Sequence, residues 1–212
     1  MTKANYDTFD FVHGTQQIFR KLVDCMARPG KVNSLKEDIW PIEGDRGLSK
    51  ALIGLAYTLL DREVSFYIVC EEKERVEQFL KWSTFSTTGT LQTADYIFIQ
   101  HSLSGGEFLN LVNQVKCGTL TDPHNSATLI FHVEEISVEG PIGLNLIMSG
   151  PGIKETTSCY VKGLPTNLVE VRKEVNKEFP IGVDIIVVSS SGEMVGIPRT
   201  TMIESEGYVW DM

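Results

Sequence analysis

The sequence predicts an α/β protein with a mixed β-sheet flanked by helices. Three observations carry this. Five segments (15–28, 48–60, 71–82, 107–115 and 166–177) place apolar residues at helical spacing. Between them lie short runs rich in β-branched and aromatic residues, at 64–69, 96–99, 127–133 and 142–147. The chain then closes on an apolar pair of runs separated by Ser189-Ser190-Ser191-Gly192, the signature of an antiparallel hairpin. Strands alternating with helices in the middle and antiparallel strands at the end make a mixed sheet. No repeat, low-complexity linker or composition break divides the chain, so one domain is expected over residues 1–212.

Residues 1–14 read as a loosely ordered entry segment. Thr15 is placed to cap the first helix, with Ile18, Phe19, Leu22, Val23 and Met26 on one face. Arg28-Pro29-Gly30 ends it, because Pro29 disfavours α geometry at Arg28. Residues 31–47 are rich in turn formers and read as loop, with a short strand near Val32. The second helix puts Leu48, Leu52, Leu55 and Leu59 on one stripe, with Ser49 near its start. Residues 64–69 are a strand, and 71–82 a charged helix with Val76, Phe79 and Leu80 inward. Residues 84–93 read as loop, and Tyr96-Ile97-Phe98-Ile99 as a short buried strand. Ser104-Gly105-Gly106 breaks the chain before the next helix, which offers Phe108, Leu111, Val112 and Val115 for packing. A loop over 118–126, strands at 127–133 and 142–147, and a helix with Leu168, Val171 and Val175 inward complete the middle.

The closing hairpin is the most legible stretch. Val183, Ile185 and Val187 alternate with Asp184, Ile186 and Val188, so both faces are nearly apolar and a strand covered on both sides is expected. Residues 193–197 return. Pro198 has no N–H to give a ladder, so the second strand ends there or lies on an edge.

Composition narrows the function classes. The net charge of −9 and pI near 5.0 lack the basic footprint of a nucleic-acid or anionic-membrane binder. No apolar run approaches the roughly 20 residues of a membrane span, and the N-terminus has no apolar signal core. A cytoplasmic protein with reduced thiols is expected. Cys25, Cys70, Cys117 and Cys159 are scattered and form no Cys-x-x-Cys, so no zinc or iron–sulfur site is expected. No two of His13, His101, His124 and His132 are spaced as a helical metal pair. His132, within a strand, reads as a satisfied structural histidine; His124, in a loop, is the better ligand candidate.

Two places invite chemistry. Gly150-Pro151-Gly152-Ile153-Lys154 follows an apolar strand, where backbone N–H groups can approach an anion. A third glycine is missing, since the position holds Glu155, and Pro151 removes a donor, so a tight turn is the favoured reading and explains these residues fully. Asp184 sits in an apolar strand and calls for a cation; Arg199, in Pro198-Arg199-Thr200-Thr201, is the natural partner. That pair either locks the hairpin or, with Thr200, helps hold a ligand. Gly150, Gly152, Lys154, Asp184, Arg199 and Thr200 are therefore the candidate residues, as an anion site or as structure. No phosphate loop, nucleophile elbow or catalytic constellation is found.

Taken in order, several blocks resemble a known family. They are Phe19 through Gly30, Gly118-Thr119-Leu120 running into Ala127-Thr128-Leu129, Gly150-Pro151-Gly152-Ile153, Phe179-Pro180-Ile181-Gly182-Val183-Asp184, and Ile197-Pro198-Arg199-Thr200-Thr201. Their order and spacing over about residues 16–204 resemble the H subunit of the bacterial carbon–phosphorus lyase machinery, the PhnH family. The resemblance implies a fold like the large domain of pyridoxal-phosphate-dependent transferases, without the cofactor site and with no cofactor. It implies a homodimer that joins the G, I and J subunits; the exclusion of nucleic acid and membrane partners rests on the charge and hydropathy given above. With the G, I and L proteins, such subunits support transfer of ribose triphosphate from ATP to an alkylphosphonate, releasing adenine. The nucleosidase chemistry falls to the I subunit, so the isolated chain is expected to be an accessory without turnover. No catalytic residue carries over from the resemblance.

Overall fold

Alternation along the central strands sorts the molecule into two cores. The computed structural model describes residues 9–43, 46–140 and 142–209. Strands β1 (Asn33–Ser34), β2 (Ser65–Val69), β3 (Thr87–Thr88), β4 (Tyr96–Ile99), β5 (Thr128–Val133), β9 (Asp184–Ser189) and β10 (Glu193–Ile197) form one sheet in the order β1-β10-β9-β5-β4-β2-β3. β3, β2, β4, β5 and β9 run parallel; β10 runs antiparallel to β9, and β1, antiparallel to β10, returns to the direction of the others. Ile97, Ile99, Leu129, Phe131, Ile185 and Val187 enter one core, and Phe98, Ile130, Ile186 and Val188 enter the other. Successive strand side chains point to opposite faces, so a strand apolar throughout must be covered twice.

Helices α1 (His13–Ala27), α2 (Lys36–Ile39), α3 (Lys50–Leu59) and α4 (Lys73–Thr84) supply one cover. The other comes from α5 (Gly105–Val112), α6 (Leu168–Val175) and a second sheet. That sheet is antiparallel, in the order β11-β7-β8-β6, from β6 (Glu135–Ser137), β7 (Gly143–Ser149), β8 (Thr157–Lys162) and β11 (Met202–Val209). The mixed sheet flanked by helices is thus present, while the small sheet was not foreseen. The hairpin has the expected register, with Val195 opposite Val187 and Ile197 opposite Ile185, and its second strand stops before Pro198.

Several local expectations need correction. Residues 1–8 of the entry segment lie outside the described residues. Residues 9–14 are placed: Phe9 packs on Tyr57, and Asp10 Oδ1 accepts from the N–H groups of Val12 and His13. The helix therefore begins at His13, and Thr15 lies in its first turn, bonding back to Phe11 O at 2.5 Å rather than capping it. Its buried stripe is Ile18, Leu22 and Cys25; Phe19 and Val23 are half exposed. The two stripes lie side by side on the helix, and apolar periodicity alone does not choose between them. Ser104 is the N-cap of α5 in a capping box with Glu107, and Gly105 and Gly106 are its first turn. Residues 36–39 add a helical turn and residues 87–88 a short parallel edge strand, inside stretches expected to be loop.

Candidate functional site

Arg199 is the centre of a closed hydrogen-bond knot. Its Nη2 donates to Asp184 Oδ2 at 2.5 Å and to Ser126 Oγ at 2.5 Å. Nε lies 3.3 and 3.2 Å from the two Asp184 oxygens. Nη1 donates to Pro123 O at 2.8 Å and Pro180 O at 3.3 Å. The backbone N–H of Arg199 also donates to Asp184 Oδ1, at 2.7 Å. A guanidinium has five N–H donors, and these partners occupy all of them. One side chain thus ties the 118–126 loop, the bend at the cis Phe179-Pro180 bond and the first residue of β9 together. The expected Asp184–Arg199 pair exists, and its donors are spent on the protein.

The two glycine turns meet each other. Gly152 has φ +85°, and a Cβ there would lie 2.3 Å from Ala27 O, at the C-terminus of α1. Gly30, at φ +82°, would place a Cβ 2.3 Å from Thr157 Cγ2 in β8. Both positions need a residue without a side chain, for conformation and for space. The Arg28-Pro29-Gly30 and Gly150-Pro151-Gly152 blocks are therefore two halves of one contact. Ile153 N closes the turn onto Gly150 O at 3.1 Å. An open cleft of about 430 Å³ lies beside this contact, with Arg28, Lys31 and exposed Lys154 on its walls. Arg28 and Lys31 both pair with Asp24.

A larger cavity, about 580 Å³, lies between α6 and β11. Pro151 from the glycine turn, together with Arg199 and Thr200, contributes to its wall. The structure thus divides the six candidates. Arg199 and Thr200 line this cavity, with Asp184 behind them; Gly150 adjoins it, since a Cβ there would stand 3.1 Å from Thr200 O. Gly152 and Lys154 line the open cleft instead.

Two residues that sequence reasoning missed lie on the cavity wall. Arg172 is only 4% exposed; its Nη2 donates to Pro198 O at 2.6 Å, and its buried Nε has no partner. Burial pushes its pKa down to about 10, against the pull of Asp184, so it stays charged at neutral pH. Thr201 is 2% exposed, with a buried hydroxyl that also lacks a partner. A signal for Arg172 existed: it sits four residues after Leu168 and three before Val175, on an otherwise apolar stripe.

The histidines divide as expected in one case. His132 Nδ1 lies 3.2 Å from Gln100 O and Nε2 3.2 Å from Ser190 Oγ, and burial lowers its pKa against the Gln100 contact. His124 is exposed in its loop. Among the described residues no three His, Cys, Asp or Glu side chains gather as a metal site. No helix among them is long and apolar enough to cross a membrane.

Comparison with known proteins assigns the class. The family model described as "Bacterial phosphonate metabolism protein (PhnH)" matches residues 7–204. The chain belongs to this family of bacterial phosphonate metabolism proteins. It is 31% identical over 201 residues to "Alpha-D-ribose 1-methylphosphonate 5-triphosphate synthase subunit PhnH" of Rhizobium meliloti (strain 1021), covering 93% of this chain and 94% of that one. It is 28% identical over 192 residues to "Putative C-P lyase subunit protein HtxG" of Stutzerimonas stutzeri, covering 91% of this chain and 87% of the relative.

Proposed function

We propose that this chain is a subunit of a carbon–phosphorus lyase system, supporting transfer of ribose triphosphate from ATP to an alkylphosphonate with release of adenine. The observation that carries the reading is the end-to-end match to a relative named as a subunit of that synthase. Its role is accessory: it works with the G, I and L proteins and contributes shape and contact area while bond-making occurs on its companions. It acts in the cytoplasm as one domain, pairs with a second copy of itself and joins the G, I and J subunits. Exposed apolar side chains support an interacting surface: Phe19 and Val23 lie one turn apart on α1, and Trp82 and Phe85 stand out at the end of α4. The mixed sheet is proposed to share the layout of the large domain of pyridoxal-phosphate-dependent transferases without using the cofactor.

Co-expression with the companion subunits tests this. A tagged chain is expected to carry the G, I and J proteins through purification. Alone, given ATP and methylphosphonate, it is expected to release no adenine. Adenine release by the isolated chain, or failure to co-purify with any companion, would overturn the accessory role. Added pyridoxal phosphate is expected to give no aldimine absorbance band.

A further inference from the structure

The cavity between α6 and β11 has the chemistry of a receptor. A buried guanidinium N–H without an acceptor costs free energy, and so does a buried unpaired hydroxyl. Two residues of this cavity's lining, Arg172 and Thr201, carry one of each, on atoms buried beneath its surface. Nε of arginine can only donate, so whatever completes it must be an acceptor. The charges around it point the same way. Arg199 is matched by Asp184 and Lys177 by Glu174, but no carboxylate pairs with Lys173 among the described residues. Among the described residues Glu204 is the one acidic residue on the wall, and it is exposed. Cationic surplus at this spot contrasts with the chain's net charge of −9. Val169, Phe179, Met202 and Ile203 supply an apolar portion of the wall, beside the polar Asn176 and Thr200. A volume of about 580 Å³ falls in the range of pockets that hold an organic ligand rather than a bare ion.

We propose that this cavity binds a phosphoryl or phosphonyl group carried on an organic body. On binding, a turn of each side chain brings Arg172 Nε and Thr201 Oγ1 to the oxyanion as donors, Lys173 adds charge at the mouth, and Val169, Met202 and Ile203 face the body. Arg199 is a positioning residue: with every donor taken, it holds the 198–201 turn that carries Thr201. Such a site binds without catalysing, and it goes beyond the subunit role, which neither requires it nor falls with it.

Calorimetry on the full chain tests the site, with ATP, tripolyphosphate, adenosine and methylphosphonate as probes. ATP is expected to bind one to one and to be displaced by tripolyphosphate, with adenosine at least tenfold weaker than ATP. Methylphosphonate displacing ATP at comparable concentration would assign the seat to the phosphonate; failure to displace would assign it to the nucleotide phosphates. Either assignment supports an oxyanion seat. Arg172→Met is expected to weaken binding by about tenfold to a hundredfold, the range for a hydrogen bond to a charged group. Thr201→Val should weaken it about three- to tenfold. Lys173→Glu, at an exposed position, should weaken it several-fold at low salt and less at high salt. If Arg172→Met does not fold, the other two variants decide. The proposal is overturned if the folded protein binds no phosphate probe at millimolar concentration, if adenosine binds as tightly as ATP, or if Thr201→Val and Lys173→Glu both bind like the parent.

Discussion

Replacing Arg199 with methionine keeps roughly the length of the side chain and removes the whole guanidinium. Asp184 is then left in a site where its carboxylate is only 20% exposed, without its cation. Removing one partner of a buried pair costs about 3–5 kcal/mol. The residual exposure here, 15% and 20% for the two side chains, puts the loss at the lower end, about 3 kcal/mol. Losing the donors to Pro123 O, Pro180 O and Ser126 Oγ adds about 1 kcal/mol, because those acceptors lie near solvent and can turn to water. A total of about 4 kcal/mol corresponds to a fall in Tm of about 8–16 °C for a chain of this size. Urea titration at fixed protein concentration, followed by circular dichroism, measures it. Arg199→Lys retains the charge but not the fork, and should lose about half as much. The double variant Asp184→Asn/Arg199→Met should cost less than the sum of its parts, since the two residues interact directly. A loss below about 1 kcal/mol for Arg199→Met, or full additivity in the double variant, would refute the clasp.

Three further outcomes follow from the geometry. Gly152→Ala forces a Cβ against a backbone oxygen at positive φ and should destabilise by about 2–4 kcal/mol, read by thermal melting; a neutral substitution would mean the two turns do not touch. Burial raises the pKa of Asp95, but hydrogen bonds from Lys116 and from the backbone and hydroxyl of Ser65 outweigh it, so the net shift is downward. Its stabilisation is thus present above the unfolded value of about 3.9 and is lost as pH falls through the folded value, so Asp95→Asn should flatten the acid limb of a stability–pH curve below about pH 4. Burial pushes the Cys159 thiol up to about 12, so a thiol reagent at pH 8 should label it only at the rate of unfolding, whereas the half-buried Cys70 and Cys117 should react sooner; rapid labelling of Cys159 in native buffer would contradict its burial.

Legibility in the sequence tracked local signal strength. The β9–β10 hairpin could be read because continuous apolar runs flanked a Gly192 turn, and the Asp184–Arg199 pair because a carboxylate in an apolar strand demands a cation. The four-stranded sheet could not. β6 is three residues long, β8 buries only Cys159 and Val161, and β11 interleaves Glu204 and Ser205 with its apolar residues. Their pairing is decided by distant partners rather than by propensity. The cavity was hidden for the same reason, since its walls come from α6 and β11, which only the fold brings together. Arg172 was passed over because a basic residue in a helix usually faces water.

The contact between Gly30 and Thr157, with Gly152 against Ala27, joins the segment that ends α1 to β8 and the turn after β7. α1 belongs to the layer on one side of the large sheet, and β7 and β8 belong to the layer on the other. The large sheet lies between those layers. At this seam they touch directly, Gly152 against the Ala27 carbonyl and Gly30 against the Thr157 side chain. A force that peels the small sheet outward therefore also tugs on the first helix, and a companion seated on that helix would feel the pull.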